Sequence, residues 1–366
     1  MAETAATPNV PARRQRALQA LRSLFTPLLP DDYLELINPL WSSRELRGRI
    51  ERISPEADGA VSVLIRPGFE WPGHLPGQYL RIGVVVNGVH HWRAYSLTTE
   101  PGRADGCIGI TPKLVSSGVV SPYLTQRARP GDIVRLGGVE GTFVLPSPPP
   151  RRILFISAGS GITPIMSMLR SLERSSEVDD VVHIHSARTA EGVIFGERLR
   201  EIDSRHEGMR FHLQLTGEQG RLAPADLDRI CPDWRERDTF ASGPGEMLDD
   251  LRAHWQEQGD PERLSIERFQ PIVGSEGGAT AAGGRVRFLA SGIEAECDGD
   301  TPILAAGEEA GACLPFGCRM GICHTCVGRL RAGAVRDLRT GEVHETENEM
   351  VRTCVNAPEG EVQIEL

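Results

Sequence analysis

A chain of 366 residues, 40% of them apolar, has material for two or three packed domains. Its formal net charge of −10 argues against nucleic acid as a main partner. No stretch approaches the roughly 18 consecutive apolar residues of a membrane-spanning helix, and no apolar segment of signal-peptide type opens the chain, so the expected location is the cytoplasm.

Residues 1–43 read as an N-terminal extension. Ala2 to Pro11 has the composition of a disordered tail. From Arg13 to Phe25, Ala17, Leu18, Leu21, Leu24 and Phe25 recur at helical spacing, with Arg13, Arg14, Arg16 and Arg22 on the other positions. Such a basic amphipathic helix (residues 13–25) either packs on its own domain or lies peripherally at the inner face of the plasma membrane. Pro27, Pro30 and Pro39 break any longer helix before Trp41.

Residues 44–148 change to short alternating runs such as Val61-Ser62-Val63-Leu64-Ile65 and Tyr79-Leu80-Arg81-Ile82. Pro67-Gly68, Pro76-Gly77, Asn87-Gly88, Pro101-Gly102 and Pro130-Gly131 punctuate them, which predicts an antiparallel β-barrel. Within it lies Arg93-Ala94-Tyr95-Ser96-Leu97-Thr98. A tyrosine ring can stack on an isoalloxazine, an arginine fork suits a pyrophosphate, and a serine hydroxyl can bond a flavin edge. Taken alone, these six residues fit an ordinary strand better than a flavin site.

Residues 149–271 read as an α/β doubly wound domain. The continuous apolar run Arg152 to Ala158 has the character of a buried parallel strand. Gly159-Ser160-Gly161-Ile162-Thr163-Pro164 follows, then a helix predicted from Ile165 to Leu172. A glycine-rich turn between strand and helix offers free N–H groups to a phosphate. The full dinucleotide fingerprint is absent, because Pro164 stands at its sixth place. Val181 to Arg188 leads to a helix near Gly196 to Ile202, and Phe240-Ala241-Ser242-Gly243-Pro244 leads to one from Glu246 to Trp255. Ser265-Ile266-Glu267-Arg268-Phe269 reads as the last strand.

Residues 272–284 form a Gly/Ala-rich stretch with one charge, Glu276, and read as a flexible linker. Residues 285–366 carry 14 acidic residues against 8 arginines, a net of −6, which suits either simple solubility or steering towards a basic partner. Here Cys318, Cys323 and Cys326 are spaced Cys-x4-Cys-x2-Cys, with Cys354 further on. That is the ligand spacing of a plant-type [2Fe–2S] centre, and Gly317 and Gly321 let the loop approach it. Buried structural cysteines and zinc are the rivals, though structural zinc sites show two short Cys/His pairs. Cys313 falls out of register and reads as a packed thiol, while Cys107, Cys231 and Cys297 read as small core residues. Eight cysteines used in this way fit a reducing compartment. The ten histidines show no metal-ligand spacing and no Ser/His/Asp grouping; of His90 and His91, one is expected to be exposed.

Taken in order, these motifs resemble the ferredoxin–NADP reductase superfamily fused to a plant-type ferredoxin with a β-grasp-like fold. Arg93-x-Tyr95-Ser96 resembles the superfamily's flavin signature, and Leu314 to Cys326 with Arg352-Thr353-Cys354-Val355 resembles plant-type ferredoxins. The resemblance implies FAD-binding roles for Leu97, for Thr111 and Lys113 on a strand beside the flavin, and for Gly118, Val119, Val120 and Ser121 at the pyrophosphate. It makes Gly159, Ser160, Gly161, Thr163 and Pro164 the NAD(P) turn, and Ser242-Gly243-Pro244 the nicotinamide segment, with serine where cysteine is common. Tyr95, Ser96 and Ser242 would stand at the reacting rings. Arg188 and Arg221 lie where the superfamily holds a 2′-phosphate, so NADPH is favoured over NADH, although Gly217 stands where a second arginine is common.

The implied path runs from NADPH through FAD and the [2Fe–2S] cluster to an oxygen-activating partner. A flavin links the two ends because nicotinamide gives electrons in pairs and the cluster, near about −400 mV, takes one. A redox sensor without turnover is the alternative from another class. The segment Phe25 to Tyr33, running to Trp41, resembles bacterial reductases of membrane-bound di-iron acyl-CoA (stearoyl-CoA) desaturases, which implies fatty acid desaturation as the supported reaction. The other acceptor is a soluble ring-hydroxylating dioxygenase or monooxygenase.

Overall fold

The computed structural model describes residues 34–269 and 283–366, apart from 36, 43, 87, 117, 317–320, 322 and 323. The basic segment 13–25, the segment 25–33, linker residues 272–282, and the ligands Cys318 and Cys323 lie outside the described residues.

The first sheet holds β1 (Arg47–Ala57), β2 (Ala60–Pro67), β3 (Tyr79–Val86), β4 (Val89–Ser96), β5 (Ile108–Ile110) and β6 (Ile133–Glu140), in the order β4-β3-β6-β1-β2-β5. Leu97, one residue past β4, bridges Ile110 of β5, so the two edges of the sheet meet and close a barrel. Alternation decides what fills it. Val63 and Ile65 of β2 turn inward beside Ile50, Leu80, Ile82, Leu97 and Ile110, while Ser62 and Arg66 stay nearer the surface. Ala57 pairs with Ala60, so β1 and β2 are joined by the two-residue turn Asp58-Gly59, with Gly59 at φ 69°.

The second sheet contains β7 (Ile153–Ala158), β8 (Val181–Ala187), β9 (Met209–Leu215), β10 (Asp238–Gly243) and β11 (Leu264–Arg268), ordered β11-β10-β7-β8-β9. Its helices are α1 (Ile162–Ser175), α2 (Gly196–Arg205) and α3 (Gly245–Gln258). Strands β7 to β10 pair in parallel. The chain winds outward through β8 and β9, then returns to place β10 on the other side of β7. That reversal opens a crevice at the carboxyl ends of β7 and β10, where open α/β sheets bind ligands. Helix α1 begins three residues earlier than Ile165, since Pro164 sits in its first turn, where an N–H has no helical partner to lose. Two apolar layers cover the sheet. Phe155, Ile165, Leu169, Leu199 and Phe240 share one with Phe143 and Leu145; Ile156, Ile184, Leu248, Trp234 and Trp255 share the other.

The ferredoxin part is a mixed sheet of β12 (Gly284–Phe288), β13 (Glu294–Cys297), β14 (Val327–Asp337), β15 (Val343–His344), β16 (Met350–Arg352) and β17 (Asn356–Glu365), with α4 (Ile303–Glu309). Its order is β13-β12-β17-β14-β15, with β16 also on β14. Val286, Phe288, Ile303, Leu330, Val355 and Ile364 form its core. The last two glycines of the expected linker belong to this sheet. Gly283 bridges Glu359, and Gly284 lies so close to β17 that a Cβ would come within 1.8 Å of the Gly360 carbonyl oxygen. Cys107, Cys231 and Cys297 are buried, as core thiols should be. Cys313 corrects the reading: it is exposed, because the chain there alternates with Ala312 and Leu314 turned inward.

Candidate functional site

The nucleotide crevice is built by one close approach. The turn Gly159–Gly161 leaves β7, and Gly161 presses on the end of β10, where a Cβ would lie 2.1 Å from the Ser242 carbonyl oxygen. Gly243 is pinched in turn, with a would-be Cβ 3.2 Å from that of Ala158. Two helices start at this point, α1 after Gly161 and α3 after Pro244, so their N-termini face the same crevice. Thr163 closes the first turn by donating to the Ser160 carbonyl at 2.9 Å. The Ser242 hydroxyl is fully buried and has no hydrogen-bond partner among the described residues. A cradle of small residues, free helix N-termini and an unspent hydroxyl fits a dinucleotide.

Arg93 and Tyr95 share one face of β4 by strand alternation, and Tyr95 packs against the barrel core. Ser96 is buried on the opposite face. Leu97 points into the barrel core, and its N–H is spent on the Gln78 carbonyl at 2.8 Å. Thr111 is likewise engaged: it is buried, with its hydroxyl 3.0 Å from that of Ser62. Lys113 is exposed and its backbone bridges Ala60. The Gly118–Ser121 segment closes on itself, as Gly118 N–H donates to the Val115 carbonyl at 2.9 Å and the Ser121 hydroxyl accepts from Val115 N–H at 3.2 Å. Val119 remains exposed and Val120 buried. A half-exposed ring beside a guanidinium fits a flavin and its phosphates.

Arg188 and Arg221 are both exposed, near the carboxyl ends of β8 and β9. Gly217 binds the two segments together: its N–H donates to the Arg188 carbonyl at 3.1 Å, and a Cβ on it would lie 2.8 Å from that oxygen. A side chain would force these segments apart, which explains glycine where an arginine was a possibility. Arg221 is ion-paired with Glu246, in the first turn of α3, at 2.5 Å.

In the ferredoxin part, Val327 pairs with Arg352, which sets Cys326 beside Thr353. Thr353 donates to the Cys326 carbonyl through its N–H at 3.1 Å and its hydroxyl at 2.9 Å. Cys326 and Cys354 are both buried and neither is in a disulfide. Gly321, at φ 71°, donates its N–H to Cys354 Sγ at 3.2 Å, while Arg352 holds its carbonyl at 2.8 Å. A buried thiol receiving a backbone N–H fits a thiolate ligand of a cluster, whose sulfurs need such donors.

Two features escaped the sequence reading. The Glu267 carboxyl on β11 has an oxygen that is buried without a partner among the described residues, and burial pushes its pKa up to about 8. Only its strand was legible; an alternating run of Ile, Glu, Arg and Phe gives no sign of a buried acid. The other is a histidine grouping. Ser157 Oγ lies 2.8 Å from His183 Nε2 and 2.8 Å from His185 Nδ1, all three buried on one face of the parallel sheet. A serine has one proton to give, so at least one imidazole must donate to it. Burial lowers both histidines, His185 to about 4. Ser157 is also the register partner of Ser242.

Fold and site together define a flavin- and iron–sulfur-dependent NAD(P)H oxidoreductase. Comparison with known proteins agrees. Three family models match: an oxidoreductase FAD-binding domain over residues 70–145, an oxidoreductase NAD-binding domain over 155–252, and a 2Fe-2S iron-sulfur cluster binding domain over 287–359. The NADPH oxidoreductase of Mycobacterium tuberculosis is 45% identical, covering 97% of this chain and 94% of its own. The stachydrine N-demethylase reductase subunit of Rhizobium meliloti is 28% identical over 89% of this chain and 97% of its own. The structure of phthalate dioxygenase reductase, at 21% identity, shares the fold with a TM-score of 0.56 over 87% of this chain and 97% of that one. The chain belongs to the family of NAD(P)H-dependent flavoprotein oxidoreductases that carry a [2Fe–2S] ferredoxin domain. It passes electrons from NAD(P)H through FAD to [2Fe–2S], and no helix among its described residues is long and apolar enough to cross a membrane.

Proposed function

We propose that the protein is the reductase component of an oxygen-activating system, using NADPH and delivering single electrons to an oxygenase. The observation that carries the reading is the approach of Gly161 to Ser242, which gathers two nucleotide segments at one end of the sheet. Bound FAD would accept a hydride and release electrons singly to the cluster.

The residues supply position and polarity rather than a nucleophile. Arg93 offers its guanidinium to the pyrophosphate, helped by Gly118, Val119, Val120 and Ser121. Tyr95 presents a stacking face; Ser96 and Ser242 offer hydroxyls at the reacting rings. Thr111, with its hydroxyl on Ser62, and Lys113 frame the same barrel edge. The turn of Gly159, Ser160, Gly161, Thr163 and Pro164, with Gly243 and Pro244, takes the dinucleotide phosphates on helix N-termini. Arg188 and Arg221 provide cations for a 2′-phosphate, Arg221 by leaving Glu246. Cys318, Cys323, Cys326 and Cys354 hold the cluster. The buried free thiols Cys107, Cys231 and Cys297 suit a reducing compartment such as the cytoplasm.

A soluble oxygenase is the favoured acceptor, because the glycine betaine monooxygenase reductase subunit of Pseudomonas aeruginosa is 28% identical over 79% of this chain and 86% of its own. A membrane-bound acyl-CoA desaturase is the second reading. The alignment with the mycobacterial NADPH oxidoreductase covers 97% of the chain and therefore includes most of the N-terminal extension that resembles desaturase reductases. The test is reconstitution with NADPH and either a soluble oxygenase or membranes holding a desaturase and a saturated acyl-CoA. Product formation that depends on Cys354 identifies the acceptor. Absence of sustained cytochrome c reduction by the FAD- and cluster-replete protein would instead support a sensor.

A further inference from the structure

Helix α1 begins at the dinucleotide turn, and one of its faces is bonded to the chain that leaves β4. Ser167 donates to the Thr99 carbonyl at 2.8 Å, Arg170 to the Thr98 carbonyl at 2.6 Å, and Arg174 to the Pro101 carbonyl at 2.6 Å. The spacing of 167, 170 and 174 places all three on one side of the helix. The segment they grip is itself fixed from the barrel side. Thr98 N–H donates to the Gly109 carbonyl at 2.8 Å, and Gly109 N–H to the Thr99 hydroxyl at 3.0 Å. Thr98, Thr99 and Ser167 are buried. Arg170 stands out because no carboxylate forms an ion pair with it among the described residues. Its guanidinium lies 5.2 Å above the ring of Phe195, which is itself held at φ 60° just before α2. Burial lowers the arginine's pKa, so a cation has been drawn from water to hold a backbone carbonyl.

We propose that Arg170, supported by Ser167 and Arg174, is a positioning residue for hydride transfer: it fixes the strand end that follows Arg93, Tyr95 and Ser96 against the helix that opens at Gly161. The inference rests on the flavin and nucleotide assignments proposed above. Hydride transfer needs donor and acceptor carbons near contact distance, and a misplacement of about 1 Å costs on the order of a hundredfold in rate. The flavin is assigned to the barrel and the nicotinamide to the parallel-sheet domain, so the separation of the rings is set where those two domains are bonded together. Three carbonyls gripped by one helix make that bond stiff. Each domain keeps its own phosphate contacts, so a loosened latch changes the rate of transfer rather than affinity.

The experiment compares wild type with Arg170→Met, Arg170→Lys and Ser167→Ala in the full chain loaded with FAD and cluster. Stopped-flow flavin reduction at increasing NADPH yields a limiting rate and a dissociation constant. A long-wavelength charge-transfer absorbance on NADP+ binding and amide exchange across residues 97–101 report geometry without turnover. Arg170→Met should lower the limiting rate at least tenfold, weaken the charge-transfer band and speed exchange across 97–101, with the dissociation constant changed less than twofold. Arg170→Lys should recover part of the rate. If Arg170→Met does not fold, Ser167→Ala must show the same pattern, at about threefold. An unchanged limiting rate, or a loss confined to the dissociation constant, overturns the proposal. A wild-type protein whose flavin NADPH does not reduce would instead sink the underlying site assignment.

Discussion

Gly161 and Ser242 are separated by less room than one methyl group: a Cβ on the glycine would sit 2.1 Å from the serine's carbonyl oxygen. Gly161 has φ −60°, which any residue can adopt, so space alone demands glycine there. Gly159 is the reverse case, with open space around it but φ 54°. Gly161→Ala should therefore force β7 and β10 apart, costing about 1–3 kcal/mol and most of the affinity for NADP+. Gly159→Ala should cost about 1 kcal/mol from backbone strain and leave binding largely intact. Thermal unfolding and NADP+ titration of both variants check the order; equal effects would show that the approach is not limiting.

The cluster assignment separates five cysteines. Serine at Cys318, Cys323, Cys326 or Cys354 should remove or damage the [2Fe–2S] centre, whereas Cys313→Ser should leave iron content and visible absorption unchanged, as suits an exposed thiol. Retention of a full cluster in Cys354→Ser would overturn the assignment of Cys354 as a ligand, whatever the contact from Gly321 N–H.

Flavin loss should be independent of the cluster. Arg93→Ala or Tyr95→Ala should weaken FAD binding while iron content is kept, since the barrel and the ferredoxin have separate cores. Full FAD occupancy in both purified variants would reject the assignment to β4.

Arg221 and its partner give a cofactor-choice prediction. Arg221→Ala should raise KM for NADPH by the loss of a charge-assisted contact, about 1.5–3 kcal/mol, and change NADH little. Glu246→Gln removes the competing carboxylate and should lower KM for NADPH. Equal shifts for both nucleotides in either variant would show that no 2′-phosphate is read there.

Glu267 sets a pH dependence. The unfolded chain releases this proton near pH 4.5, the folded protein near pH 8, so the folded state binds more protons between those values. Stability from this group is present below about pH 4.5 and is lost as pH rises towards about 8. Glu267→Gln should abolish that slope and exceed wild type above pH 8 by about 1–3 kcal/mol. Melting temperatures of the two proteins that run parallel from pH 5 to 9 would refute a buried, protonated carboxyl.

Local pattern carried much of this reading. Val61 to Ile65 announced a half-buried strand, Arg152 to Ala158 a fully buried one, and the cysteine spacing its cluster, because each signal is complete within a few residues. Helix ends were less legible: the helix expected from Ile165 begins at Ile162, because Pro164 is harmless in a first turn. Long-range relationships were not legible at all. Arg170 finds its carbonyl 72 residues away, and Ser157 meets His183 and His185 only when β7 and β8 align. Cys313 shows the converse error, a residue judged by type when its turn decides its exposure.

The ferredoxin sheet has β17 between β12 and β14, so the strand made after Cys354 is the one both neighbours lean on. On the ribosome, Cys318, Cys323 and Cys326 emerge well before that strand, and for that interval the thiols hang on an unfinished sheet. The fourth ligand, Cys354, lies just ahead of β17, so the full set of thiols comes together late in synthesis. The barrel and the nucleotide domain, with their own cores, are free to close around their cofactors earlier. This topology lets the flavin be taken up before the metal.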